Sequence, residues 1–420
     1  MNDGAQGEID LAGDWPMIEA QLPSNWRELA KAHGISARKL PPHLGAKVTD
    51  VVVPLRMVLH HVATNTSLKT TAAIAAAAGL IDISAVALHL WMQRFAPFLA
   101  AMLVALTDAA DHFAAAAWAG FDILLVDATT VSRPGSKGTT ARVHYALRLS
   151  NLQPVQIDVT DDKGGETYRR FARMARPGQL WVGDRGYANP PGIAAIKAKG
   201  ADVLVRFNRG SLPLYNSTGI RLNVVEELSR QLTEPGLPRA WCAWVHPERG
   251  DRIRGRLCVV RLPPDKVDEA RARLRREQGG DLSAESLEMA NFVAVFTTVS
   301  SARLSAERVM ELYALRWQVE LCIKRDKSIA GLDRLPNFRA DTIRSWILAK
   351  MLLTQIARKI ATPDVAIPPC AAGGAASCLG AVPLRAPSSD HDRHGSSRAL
   401  ASHGLRLAGA QGCAHPDLAA

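Results

Sequence analysis

Three acidic residues define the chemistry to look for. Asp127 ends the apolar run Ile123-Leu124-Leu125-Val126, and Asp184 follows Leu180-Trp181-Val182-Gly183. Each carboxylate is therefore expected at the C-terminal edge of a buried strand. An Asp in that place is ordinarily a turn former or a helix cap. If the two strands are neighbours, however, the carboxylates meet, and two close anions are costly unless a hard cation neutralises them. The third acid, Glu320, belongs to a set comprising Tyr313, Arg316, Glu320 and Lys327, at offsets of three, seven and fourteen. On one continuous helix these positions share an arc of about 60° along about 21 Å of axis. A solvated helix face is the plain reading of such a row. The sharper reading is a track for a DNA strand, with Glu320 reaching a metal while Arg316 and Lys327 meet flanking phosphates.

The elements that must position these residues can be read in outline. From Phe121 the chain runs through short β-type segments at 121–131, 141–150, 154–162, 179–187 and 201–208, with Gly and Asp marking the turns. A helix is expected around Thr167 to Met174 between the third and fourth. Three strands, helix, strand, helix, strand is the order of a mixed α/β sheet. Residues 209–290 are less regular, with strand candidates at 241–247 and 255–263 and a highly charged stretch after Val267, and they read as an insertion. Strand character returns at 291–299, and a long helical pattern runs from Ala306 to about Ile360.

Residues 1–115 are rich in Ala and Leu at helical spacing. Within them 67–95 reads as helix, break, helix: Ala75 would sit at the crossing, Gly79 in the turn, and Ser84 at the N-cap of the second helix. This is a helix-turn-helix pattern, although a plain Ala-rich hairpin packing a core fits it too, because the second helix carries few basic residues. The last segment, 361–420, contains no Lys, Glu, Asn, Met, Phe, Tyr or Trp and much Ala, Gly, Ser and Pro. Such a tail cannot build a core. It reads as disordered, or as an out-of-frame translation of GC-rich DNA.

At 420 residues the chain can bury a core without disulfides, and its net charge of +11 favours a polyanionic partner. The apolar run from Phe98 to Leu106 is too short to span a bilayer before Asp108, so no membrane association and a cytoplasmic location are expected. The six Cys, at 242, 258, 322, 370, 378 and 413, form no pair with zinc-ligand spacing and read as reduced. His60, His61, His391 and His394 lack ligand partners at useful spacing. Arg133, Lys137 and Arg142 follow Asp127 closely and are candidates for DNA contact, with a solvated basic loop as the alternative.

The chain resembles the DDE transposases of bacterial insertion sequences, specifically the insertion sequence four group. That family's signature of Tyr, two residues, Arg, three residues, Glu, six residues, Lys is matched without a gap by Tyr313, Arg316, Glu320 and Lys327. Residues 124–135 resemble its first-aspartate region and 182–188 its second, while 144–149 and 159–171 are similar to segments between them. The likeness runs from about Asp50 to Ile360.

It implies a ribonuclease H-like catalytic domain in two parts, 116–208 and 291–360, around a mainly β insertion at 209–290, preceded by a helical DNA-binding region at 1–115. It also implies catalysis by Asp127, Asp184 and Glu320 as ligands of two Mg²⁺ ions, with Asp127 bridging and Mn²⁺ able to substitute. Arg316, Lys327 and Tyr313 would position DNA. The expected partners are the terminal inverted repeats and target DNA, bound by a homodimer assembled on the ends, at the bacterial nucleoid. A nuclease of the same fold that cuts without joining, and an inactive remnant that only binds DNA, are the rival functions.

Overall fold

The computed structural model describes residues 14–35, 50–108, 118, 120–248, 250–278, 282–328, 330–333, 335 and 340–361. The tail from 362 onward, with His391, His394, Cys370, Cys378 and Cys413, lies outside the described residues, as do 1–13 and 36–49.

Helices come first. They are α1 (Trp15–Glu19), α2 (Trp26–Ala32), α3 (Val52–Thr64), α4 (Leu68–Ala77) and α5 (Ala85–Asp108). The expected helix, break, helix at 67–95 is present as α4 and α5. Ser67 Oγ accepts from Thr70 N at 3.0 Å, and Ser84 Oγ accepts from Ala87 N at 3.2 Å, so both helices start on serine caps. Ala75 is fully buried and Gly79 turns the chain at φ +65°. α5 is longer than the apolar run alone suggested, and by length and composition it could cross a membrane. Its Trp91, Phe95, Phe98, Leu99 and Met102 are instead wholly buried, packed with α3 and the last helix, which is how a core helix of the same composition behaves.

The eight predicted strands all form: β1 (Asp122–Val131), β2 (Ala141–Arg148), β3 (Pro154–Asp161), β4 (Gln179–Gly183), β5 (Asp202–Arg206), β6 (Arg239–Val245), β7 (Ile253–Arg261) and β8 (Phe292–Thr297). They make one mixed sheet in the order β3-β2-β1-β4-β5-β8-β7-β6. β1 is parallel to β4, and β4 to β5; all other pairings are antiparallel. The five strands β3-β2-β1-β4-β5 are consistent with the ribonuclease H-like arrangement. Alternation along the strands builds two cores. Ile123, Leu125, Leu180 and Val182 face α5 and the C-terminal helices, whereas Leu124, Val126, Trp181 and Val203 face Tyr168, Phe171 and α6 (Pro190–Lys197).

Several expectations need correction. Thr167–Met174 is not a helix: only a 3-10 turn forms at Tyr168–Arg170, because Tyr168 and Phe171 are drawn into the core under β4. The stretch 209–290 is not mainly β either. It supplies β6 and β7 together with α7 (Val224–Gln231), α8 (Pro264–Gln278) and α9 (Ala284–Met289), and its two strands extend the main sheet through β8. The long helix from Ala306 is three helices, α10 (Ala306–Ala314), α11 (Trp317–Ser328) and α12 (Ala340–Ala361). The first break is a tightening of the backbone, since Leu315 N donates to Leu312 O and Arg316 N to Tyr313 O, at 3.1 and 3.0 Å, in place of four-residue bonds. Tyr313 and Glu320 are therefore on different helices, and the single lined-up face does not exist.

Candidate active site

The parallel register between β1 and β4 explains how two of the acids meet. Leu125 lies opposite Val182, so two residues further on, Asp127 and Asp184 leave neighbouring strands on the same face of the sheet. β4 ends at Gly183, but β1 continues to Val131, so Asp127 is inside its strand and not at its end as expected. The edge that matters is where the β1–β4 pairing stops. Asp184 turns there, its Oδ1 accepting from Gly186 N at 2.8 Å. α11 packs on this face of β1 with Val319, Cys322 and Ile323 inward, which carries Glu320 to the same edge.

Arg316 joins the acids. It forms an ion pair with Glu320 one turn further on, and its Nη1 is 3.7 Å from Asp127 Oδ2. The guanidinium also lies over the Tyr313 ring at 5.9 Å, so the broken helix still brings Tyr313 to Arg316. Asp127 is only 15% exposed. Burial and then the charge of Asp184 push its carboxyl up to about 8, against the pull of Arg316 and the hydrogen bond from Ala128 N, with Glu320 adding to the rise. Asp127 thus feels both of the other acids.

Lys327, at the far end of α11, donates to the Thr130 carbonyl at 3.2 Å, beyond Asp127 on β1, and burial lowers its ammonium. Arg142 on β2 pairs with Glu166 at 3.5 Å. Arg133 and Lys137 lie on the loop between β1 and β2, Lys137 exposed. His60 and His61 are buried in α3, where burial lowers both imidazoles and His61 Nδ1 bonds Thr71 Oγ1 at 3.0 Å, a packing role as expected.

Glu166 is a site residue that the sequence reading missed. Burial and the charge of Asp184 push it up to about 7. The available signal was indirect: a Gly directly follows Arg185 after the second Asp, and a Cβ on Gly186 would overlap the Glu166 carboxylate.

The donor chemistry suits a hard divalent cation, as the acids offer oxygen ligands alone and the charge of Asp184 raises the carboxyls of both Asp127 and Glu166. Among the described residues no three acidic, His or Cys side chains are close enough to enclose an ion as they stand. Arg316 supplies the positive charge between Asp127 and Glu320, so a cation would replace contacts that the guanidinium now makes.

Comparison with known proteins agrees with this geometry. A family model described as the transposase DDE domain matches residues 118–355, spanning all three acids. The chain is 29% identical over 342 residues to the putative transposase InsL for insertion sequence element IS186A of Escherichia coli K12, covering 78% of this chain and 89% of that protein. It is 30% identical over 269 residues to the transposase for insertion sequence element IS421 of Escherichia coli, covering 60% of this chain and 70% of the relative. Enzymes of this family are polynucleotidyl transferases that act on DNA and generally use divalent metal ions. The chain belongs to the transposase DDE domain family.

Proposed function

We propose that this protein is an insertion-sequence transposase whose Asp127, Asp184 and Glu320 hold two Mg²⁺ ions, replaceable by Mn²⁺, at the edge where β1 and β4 part. The catalytic part is ribonuclease H-like, and α1–α5 form the N-terminal DNA-binding region. The observation that carries this reading is the meeting of Asp127 and Glu320, far apart in the chain, on one guanidinium beside Asp184.

When bound, the ions supply Lewis acidity for the attacking and departing oxygens of a phosphodiester. The protein's own groups do the rest. Asp127, which feels the charges of both Asp184 and Glu320, would be the ligand common to the ions, with Asp184 and Glu320 each completing the hold on one. Arg316, which now pairs with Asp127 and Glu320, would bind a phosphate of the strand being cut once metal ions hold those carboxylates, and Lys327 a neighbouring one. Tyr313 holds the guanidinium face. Arg133, Lys137 and Arg142 extend the positive surface along β1 and β2. Water as nucleophile nicks the element's end, and the 3′-hydroxyl so freed attacks target DNA at the same acids. A homodimer on paired terminal inverted repeats, working at the nucleoid in the cytoplasm, accounts for two ends being joined.

The test is a cleavage and joining assay on an end-containing duplex with Mg²⁺. Asp127→Ala, Asp184→Ala and Glu320→Ala are each expected to abolish cutting while end binding stays largely intact. Cutting retained in any of them removes that residue from the site. Joining of a precleaved end to plasmid separates a transposase from a nuclease.

A further inference from the structure

The chain goes to some length to hold Glu166 next to Asp184. Thr167 Oγ1 accepts from Arg169 N at 3.3 Å and opens the 3-10 turn. The next residue, Tyr168, is fully buried, and its hydroxyl lies 3.3 Å from the Trp181 carbonyl in β4 and 3.2 Å from that of Leu204 in β5. Both glycines around Asp184 make room for this segment. A Cβ on Gly183 would be 2.7 Å from Tyr168 Oη, and one on Gly186 would overlap the Glu166 carboxylate while lying 3.2 Å from Asp184 Oδ1. Glu166 and Asp184 therefore flank the same glycine, and a side chain there would push the Glu166 carboxylate out of its present place.

The partners of Glu166 are few. Its side chain is 24% exposed, Arg142 stands at 3.5 Å, and among the described residues its carboxylate accepts no hydrogen bond. The Arg142 and Arg316 guanidiniums offset part of the repulsion between the two carboxylates, and a metal cation between them would offset more.

We propose that Glu166 is a fourth carboxylate of the metal centre, a ligand on the Asp184 side. This rests on the metal-dependent transposase reading above. Gly186 is then the position that sets the distance between Glu166 and Asp184. The rival explanation is that Glu166 merely anchors Arg142.

Mn²⁺ binding to the full chain without DNA, followed by electron paramagnetic resonance and by the rise in melting temperature with Mn²⁺, tests this apart from activity. Glu166→Gln is expected to weaken Mn²⁺ binding about tenfold or more, with the metal-free melting temperature at or above that of the unaltered chain. Glu166→Asp should give a smaller loss. Gly186→Ala, which displaces the carboxylate without removing it, should also weaken binding. Arg142→Gln should leave Mn²⁺ affinity unchanged or higher, and a loss there matching that of Glu166→Gln would overturn the proposal in favour of anchoring. Asp127→Asn and Asp184→Asn run alongside. If these two lose binding and Glu166→Gln and Gly186→Ala titrate like the unaltered chain, Glu166 is not a ligand. If Asp127→Asn and Asp184→Asn also titrate like it, the metal reading itself fails.

Discussion

One helix carries two arginine–carboxylate arrangements of opposite character. Near the C-terminal end of α11, Asp326 pairs with Arg358 of α12 in a site where the Asp side chain is 2% exposed and Tyr145 packs alongside. One charge meets one charge. At the other end, Arg316 is shared between Asp127 and Glu320, with Asp184 and Glu166 close by and Arg142 beside Glu166. Four carboxylates gather about the Arg316 and Arg142 guanidiniums. The first arrangement is a single pair and ties α11 to α12, and the second crowds several acids at one edge of the sheet. A buried one-to-one pair serves the fold, while a crowd of carboxylates is suited to take up cations and the phosphates that accompany them.

The largest expected contrast is in activity against stability. Asp127→Asn should cut DNA about a thousand-fold more slowly or worse, since several kcal/mol of transition-state charge stabilisation are removed, yet melt no lower than the unaltered chain. Asp326→Asn should do the reverse. Removing one member of a buried pair costs about 3–5 kcal/mol, read as a lower denaturant midpoint, because the anion beside the Arg358 guanidinium is gone. Equal destabilisation by the two changes would erase the distinction between the ends of α11.

A third test uses pH. The Asp127 carboxyl is raised from 3.8 to about 8 in the folded chain. Between these values the folded state keeps a proton that the unfolded state has lost, so metal-free stability falls as pH rises through this window. Asp127→Asn has no such proton to lose, and the variant should gain on the unaltered chain from pH 4 to pH 8 in chemical denaturation. Parallel pH profiles would mean that Asp127 is less crowded than its surroundings indicate. The smallest effect is expected from Lys327→Gln, which should weaken end binding a few-fold and reduce the slope of log affinity against log salt by about 1.

The strands were legible because each is a short apolar run closed by turn residues, and the register that aligns Asp127 with Asp184 follows from two such runs being parallel neighbours. The signature spacing located Arg316 and Glu320, although the reason first given for it, one helical face, does not hold. No Gly or Pro marks the break at Leu315–Arg316; Arg316 sits at that break and forms an ion pair with Asp127, a tertiary contact that local pattern does not encode. Glu166 escaped for a related cause. It occupies a Gly-rich turn that reads as punctuation, and the space it fills is left by the missing side chain at Gly186, on another element. The insertion was misjudged because its charged stretch forms α8, while its strands could not be seen to join the main sheet.

That joining has a consequence for how the molecule would respond to being cut. β8 is hydrogen-bonded to β5 on one side and to β7 on the other, and the turn before β6 leaves Leu237 79% exposed. A protease that clips the chain there severs the covalent thread but not the ladder of backbone bonds running across the sheet. The two pieces should travel together through a sizing column and part only in denaturant.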